Sequence, residues 1–394
     1  MSASGLRPVV TELRLSAFKT HCRAAFPLGP LTLIAGPSGS GKSGVLEAYA
    51  ALARLAGGQR LEEVFRDPAG YIPRRARPDG QGRRGFRIGC TVDGPVGPVR
   101  LDVAVQAEPE LRIVGERMTG AGETLLETAL RDPGRRRVQA AWHTAGAVAV
   151  TRAPLPDDRL ATSLLPLRVA GKTEGQRLAL AAAEQVVVAL RSVFVCDPRP
   201  ERMRAPAPPR DGRLRGGCEN LAAVLRRTSR ECGSRHAALV AAVRAGCTGP
   251  VEDLVTEGPA DGVVRALLAQ GELGAMPVER LGDGELRYIA LALVLLTGPG
   301  VLEMDPAADV LSARQALTVL ADGFDRCLDR RQARALLRVA ARMCARGHIR
   351  LVGTVAEPPV ADLPDAEEAA GEEAAGATVV HLGCERGTRV PTAR

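Results

Sequence analysis

The chain's 394 residues, 45% hydrophobic and 25% charged, are enough to bury a large core, which excludes a mini-protein held together by disulfides. Its nine cysteines are odd in number with no C-x-x-C pair, so they read as reduced thiols, and apolar runs such as Val186 to Leu190 fall far short of the ~20 residues of a membrane span; a soluble cytoplasmic protein with no membrane partner is expected. The net charge of +8 is almost wholly arginine, since Lys19, Lys42 and Lys172 are the only lysines among 53 basic residues, while 3% aromatic content argues against a surface built to stack exposed bases.

From the N-terminus, Val9 to Leu15 and Leu31 to Ala35 are β-prone runs, and the second leads into Gly36-Pro37-Ser38-Gly39-Ser40-Gly41-Lys42-Ser43. Beyond it Val45, Leu46, Tyr49, Ala50 and Leu52 recur at helical spacing, so strand, glycine loop and helix stand in the order a phosphate-binding loop requires. Gly36 and Gly41 let the backbone turn its amides inward, and the helix adds the positive end of its dipole. Lys42 reaches the β- and γ-phosphates, and Ser43 offers a hydroxyl to a nucleotide-bound magnesium ion. The helix is expected to end at Gly57-Gly58. Pro73 to Gly85 follows as a loop dense in Gly, Pro and Arg. It reads either as a solvated insertion or as a contact strip for a phosphate backbone, carried by Arg74, Arg75, Arg77, Arg83, Arg84 and Arg87.

Between Arg87 and Val150, β-like pieces at Phe86 to Val92, Val99 to Gln106, Glu110 to Gly115 and Val138 to His143 are punctuated by Gly-Pro and Asp-Gly turns, which predicts an antiparallel β subdomain. Thr173 to Val193 is helical in composition, Phe194 to Cys196 is a short strand, and Asn220 to Arg227 and His236 to Ala245 again read as helices. No heptad pattern is sustained, so a long coiled-coil arm is excluded.

In the last third, the glycine turn Leu281-Gly282-Asp283-Gly284-Glu285 opens a strongly apolar helix running to Thr297, and a glycine-lined helix start binds anions or simply caps a core helix. Val301 to Asp305 then reads as a buried strand ending in a carboxylate, where such a fold holds its magnesium. Two helices, about Ala313 to Asp329 and Arg331 to Arg346, and a strand Ile349 to Val352 complete the series. Asp362 to Glu373 gathers six acidic residues among alanines as a solvated loop, and Thr378 to Leu382 is a last β-like run.

This order of elements resembles the ATP-binding-cassette head shared by the RecF, OLD (overcoming lysogenization defect) and structural-maintenance-of-chromosomes families, and is most similar to compact RecF-like AAA proteins of bacteria. Glu12 to Lys19, Pro27 to Thr32, Asp197-Pro198 with Met203-Arg204, and Asn220 to Leu225 carry the resemblance beside the two glycine motifs. It implies an α/β P-loop NTPase fold of the cassette-head type, a mixed sheet flanked by helices, with an antiparallel β subdomain and a helical insertion. It implies ATP and Mg2+ as cofactors, held by Gly36 to Ser43 together with Leu281, Gly282, Asp283, Gly284 and Glu285 of a second copy, so that a homodimer closes around two nucleotides. Ser43 and Asp305 would hold the metal. A second protein subunit is the further partner such families suggest.

Three departures shape the expected activity. Asp305 is followed by Pro306 where the family has the glutamate that activates water, Gly282 stands where the signature has serine, and Val355 stands where the last strand leads to a switch histidine. Losing a positioned base typically costs about 10²–10⁴ in rate, so a nucleotide-gated dimer with slow or absent hydrolysis, linked to DNA transactions, is expected. The alternative is an active ATPase of a DNA repair or phage-defence system in which Glu303, on the same strand face as Asp305, supplies the catalytic carboxylate; Glu357 is the weaker candidate. The expected organisation is one discontinuous head over 1–357. Its nucleotide-binding core lies in 1–65 and 278–357, the antiparallel β subdomain in 86–150, and a mainly helical insertion in 170–277. An acidic disordered loop at 358–376 and a terminal strand and tail at 377–394 follow.

Overall fold

The computed structural model describes residues 7–145, 148–209, 212–258, 262–304, 316–356 and 376–383. The strands are β1 (Val9–Phe18), β2 (His21–Pro27), β3 (Leu31–Ala35), β4 (Arg84–Asp93), β5 (Val99–Glu108), β6 (Arg112–Gly120), β7 (Glu123–Ala129), β8 (Arg137–His143), β9 (Val150–Pro156), β10 (Val193–Cys196), β11 (Asp253–Glu257), β12 (Arg265–Ala269), β13 (Ala275–Pro277), β14 (Leu317–Ala321), β15 (Ile349–Val355) and β16 (Thr378–His381). The helices are α1 (Lys42–Ala56), α2 (Leu61–Val64), α3 (Ala161–Leu164), α4 (Glu174–Arg191), α5 (Pro200–Met203), α6 (Leu221–Glu231), α7 (Gly233–Gly246), α8 (Asp283–Leu296) and α9 (Arg330–Ala345). No helix among the described residues is long and apolar enough to cross a membrane.

Five parallel strands in the order β10-β14-β15-β3-β16 form the sheet that carries the glycine loop. Every residue of β3, β14 and β15 is buried, as expected of parallel strands covered on both faces. Side-chain alternation splits each of these strands between two cores. Leu31, Leu33, Leu317, Val319, Ile349 and Leu351 pack with α6, α7, α8 and α9, whereas Ile34, Leu320 and Val352 pack with α1, α4 and the antiparallel strands. An eight-stranded antiparallel sheet, β2-β1-β4-β5-β6-β7-β8-β9, covers that second side, and β11-β12-β13 form a third, small sheet.

Two expectations need correcting. The first concerns Val301 to Asp305: Pro299–Val301 is a 3-10 turn, Leu302 makes only an isolated bridge to Leu214, and Asp305 lies outside the described residues. The sheet strand is instead β14, inside the segment read as the helix Ala313 to Asp329. A five-residue apolar run carries no period that separates strand from helix, and the β-branched Thr318 and Val319 with the Asp322-Gly323 turn were the arbitrating signals. The second concerns 170–277, whose four α-helices are accompanied by strands beyond the short one read at Phe194 to Cys196: β10 pairs with β14 in the parallel sheet, and β11 to β13 form a sheet of their own. Ala266 to Ala269 has the composition of a helix, and cross-strand pairing overrides that propensity. The acidic segment 358–375, Glu357 and residues 384–394 lie outside the described residues.

Candidate nucleotide site

The glycine loop runs from the end of β3 into α1. Gly41 has φ +98°, and a Cβ there would lie 2.3 Å from Thr20 Oγ1 and 2.8 Å from His21 Nε2. Only glycine meets both conditions. Lys42 Nζ donates to the carbonyls of Gly36 and, at 3.0 Å, of Pro37, which holds the ammonium against the loop. The pressing group is the tip of the β1–β2 hairpin, where His21 lies edge-on to Phe26 with Nε2 3.0 Å from the Gly41 carbonyl. Burial lowers the pKa of this ring, and the Gly41 carbonyl bond opposes that shift. Lys19, on the same tip, is ion-paired with Glu47 of α1.

Ser43 meets its carboxylate at the C-terminal edge of the parallel sheet. Its Oγ is 3.0 Å from both carboxylate oxygens of Asp322, the residue that follows β14. Thr354 of β15 donates to Asp322 Oδ1 at 2.6 Å and accepts from the Gly323 amide at 2.7 Å. The ends of β3, β14 and β15 therefore converge on one carboxylate. Its other neighbours are cationic: Arg326 Nη2 lies 3.8 Å from Asp322 and its Nη1 lies 3.7 Å from Asp197 at the end of β10. Arg287 of α8, 3% exposed, donates to the carbonyls of Pro198 and Gly323 and so ties α8 to the same loop. A serine hydroxyl beside a carboxylate is a hard-oxygen donor set that suits magnesium.

The sequence reading missed Asp322. The five buried residues before it and the glycine after it carry the same signature that was read at Val301 to Asp305. The residue following the carboxylate is Gly323, so no side chain stands where the resemblance asks for a catalytic glutamate. Glu303 is exposed and lies 3.7 Å from Arg215; among the described residues no hydrogen bond or ion pair joins it to Ser43 or Asp322. Val355 is buried, and the adjacent Ala356 amide donates to Asp325.

Leu281 to Glu285 forms the start of α8. Gly282 is its N-cap, with the Gly282 amide donating to Glu285 at 3.2 Å, and Arg204 holds the turn through the Leu281 carbonyl and the Asp283 carboxylate at 3.0 and 2.7 Å. Gly282 and Asp283 face solvent. A Cβ on Gly284 would lie 2.3 Å from the Cys327 carbonyl, so this glycine lets α8 approach the loop after β14. No hydrogen bond or ion pair among the described residues connects Leu281 to Glu285 with Gly36 to Ser43 of the same chain.

The six loop arginines are not equivalent. Arg83 pairs with Asp79 at 2.8 Å and Arg84 pairs with Glu108, while Arg74, Arg75, Arg77 and Arg87 extend the basic character of this edge. Bonds from the Arg83 amide and guanidinium, with the Gln81 amide, pull the Asp79 carboxyl down to about 2.

No family model matches the chain and no curated protein is similar to it. Solved structures are similar in fold. A crystal structure of an Smc head bound to the C-winged helix domain of ScpA aligns at 13% identity and TM-score 0.50, over 89% of this chain and 90% of that one. An Smc head with an extended coiled coil, bound to the C-terminal domain of ScpA from Pyrococcus furiosus, gives 11% and 0.48 over 90% and 92%. The SMC head domain from Thermotoga maritima gives 12% and 0.41 over 89% of each chain. The first of these likenesses shows that the chain has the α/β fold of an ATP-binding-cassette-type head.

Proposed function

We propose that the chain binds ATP with magnesium at Gly36 to Ser43, that Ser43 and Asp322 hold the metal, and that a second copy closes the site with its Leu281 to Glu285 turn. The observation that carries this reading is the Ser43 hydroxyl 3.0 Å from both oxygens of Asp322, at the end of a strand two places from the glycine loop in a parallel sheet. Loop amides and Lys42 would bind phosphate, and the bound magnesium would neutralise phosphate charge. Thr354 would fix the rotamer of Asp322, and Arg326 would sit beside the charge that the metal replaces. Among the described residues no hydrogen bond or ion pair ties the exposed Gly282 and Asp283 to their own chain's glycine loop, which supports a dimer with composite sites. The nucleotide-binding core would then comprise 1–65 and 278–357, and a second protein subunit would read the closure, as ScpA is bound to the head in the similar structure.

The chemistry favours a switch over a rapid enzyme. Gly323 offers no base beside Asp322, and Val355 offers no imidazole. The test is light scattering of the purified chain with ATP-Mg2+, ADP-Mg2+ or neither, beside steady-state ATP turnover, with Lys42→Ala as the blank. The expected result is a dimer formed with ATP and absent with ADP, and turnover equal to the blank. A monomer at saturating ATP-Mg2+ overturns the gated dimer, and turnover well above the blank overturns the missing-base reading. A link to DNA transactions belongs to the same proposal.

A further inference from the structure

We propose that the helical face formed by α6, α7 and α9 is a docking surface for the phosphate backbone of double-helical nucleic acid. These three helices contain ten arginines (226, 227, 230, 235, 244, 330, 331, 334, 338 and 342) and one acidic residue, Glu231. The chain has 53 basic and 45 acidic residues, so 43 basic and 44 acidic residues remain outside them. The three helices therefore carry an excess of nine positive charges, and α7 packs against both α6 and α9; the acid facing them from β11 is Asp253, bonded to His236 of α7 at 2.8 Å.

Within α9 the arrangement is regular. Arg330, Arg334, Arg338 and Arg342 recur every fourth residue with no acid in the helix, a pattern that costs helix stability through like-charge repulsion. Asp329, at the N-cap, is the nearest acid in sequence and bonds the Gln332 amide. Four residues span ~6 Å of helix, and each strand of a duplex sets a phosphate every ~3.4 Å of axis, so the exposed Arg338 and Arg342 are spaced close to every second phosphate of one strand. Beside α6 a concavity of about 660 Å³ is lined by Arg213, Arg226, Arg227 and Arg230. Arg227 bonds Glu231 there, while Arg226 Nη1 is buried with no hydrogen-bond partner among the described residues. The cavity has room for a phosphate group, and the guanidinium fork matches one.

Other polyanions fit less well. The apolar face of α9, including Leu336, Leu337 and Met343, is buried in the core, so nothing remains to insert into a lipid surface. Scarce aromatics remove the stacking that single strands require. The loop Pro73 to Gly85 is a poorer candidate, since Asp79 and Glu108 already take Arg83 and Arg84.

The test is fluorescence anisotropy of the full chain, without nucleotide, on duplex DNA and on duplex RNA of the same sequence across a salt series. Measured this way, failure of the ATP proposal leaves the inference standing. Arg230→Gln with Arg338→Gln and Arg342→Gln should lower the slope of log affinity against log salt by ~0.9 for each phosphate that is no longer neutralised. Lysine at the same three positions should restore most of the slope, and Arg74→Gln with Arg75→Gln and Arg77→Gln should leave it unchanged. The side chains of Arg230, Arg338 and Arg342 are exposed, and if the triple variant is unfolded by circular dichroism, the single substitutions read the same slope. Loss of slope on either duplex supports the surface, and the DNA-to-RNA ratio identifies the source of the phosphates. A triple variant that binds both duplexes like wild type, a loss confined to the Arg74 variants, or binding only to phosphatidylserine vesicles or an acidic peptide overturns it.

Discussion

Ser43 and Asp322 are 279 positions apart and share a hydrogen bond, so each is tested through the other. Asp322→Ala should leave the loop able to bind phosphate while weakening ATP in magnesium far more than ATP in EDTA; equal loss in both would show that the carboxylate supports the loop and not the metal. His21 gives a pH signature. Its folded pKa lies below its ordinary value of 6.5 because the ring is buried, so the folded state binds fewer protons than the unfolded one. Its contribution to stability is complete above about 6.5 and is lost as pH falls through that value toward the lower folded one. The melting temperature should therefore drop on acidification from about pH 7.5 to about pH 5.5, and His21→Gln should flatten that drop. The His348 ring, displaced the same way by burial, is unchanged in both proteins and cancels from the difference.

Elements meet at a few points that tolerate little change. The Cβ of Gly284→Ala would lie 2.3 Å from the Cys327 carbonyl, which is backbone and cannot swing away, so a cost of about 1–3 kcal/mol is expected, read as a lowered denaturant midpoint. Arg350 of β15 donates through Nη2 to the carbonyls of Val10, Leu28 and Gly29 and so fastens the parallel sheet to the β1–β2 hairpin. Burial lowers its pKa. Arg350→Met should cost about 2–4 kcal/mol, because several buried acceptors would be left without their donor; a midpoint within error of wild type would show that water replaces it. At this scale the glycine loop was legible because its order of strand, turn and helix is local. β14 was harder to read, since its run of five residues has no period of its own, and the weak signals of Thr318, Val319 and the Asp322-Gly323 turn become decisive only once the run pairs with β10 and β15.

The whole molecule carries two glycine turns with no hydrogen bond or ion pair between them among the described residues, and the proposed ATP-dependent dimer is the arrangement that would bring one copy's turn to the other copy's loop. It also concentrates charge. An acidic residue placed on the basic layer, as in Arg338→Glu, should weaken duplex binding more than the neutral Arg338→Gln, since repulsion of the phosphates adds to the missing attraction; equal effects would mean that Arg338 acts by shape alone. The glycine loop, the apolar helix opened by Leu281 to Glu285 and the strands β1, β4, β5, β6 and β8 could be read along the chain, while the cassette-head fold came from the resemblance that their order carries. Each of these elements is written in neighbours within a few residues, where turn chemistry and side-chain period act. Folding in three dimensions was needed to set Asp322 against Ser43, to hold Glu303 beside Arg215, to brace Gly41 with His21, and to gather ten arginines on one layer. Those relations join segments far apart in the chain, and the packing of helices on a sheet, not any local preference, brings them together.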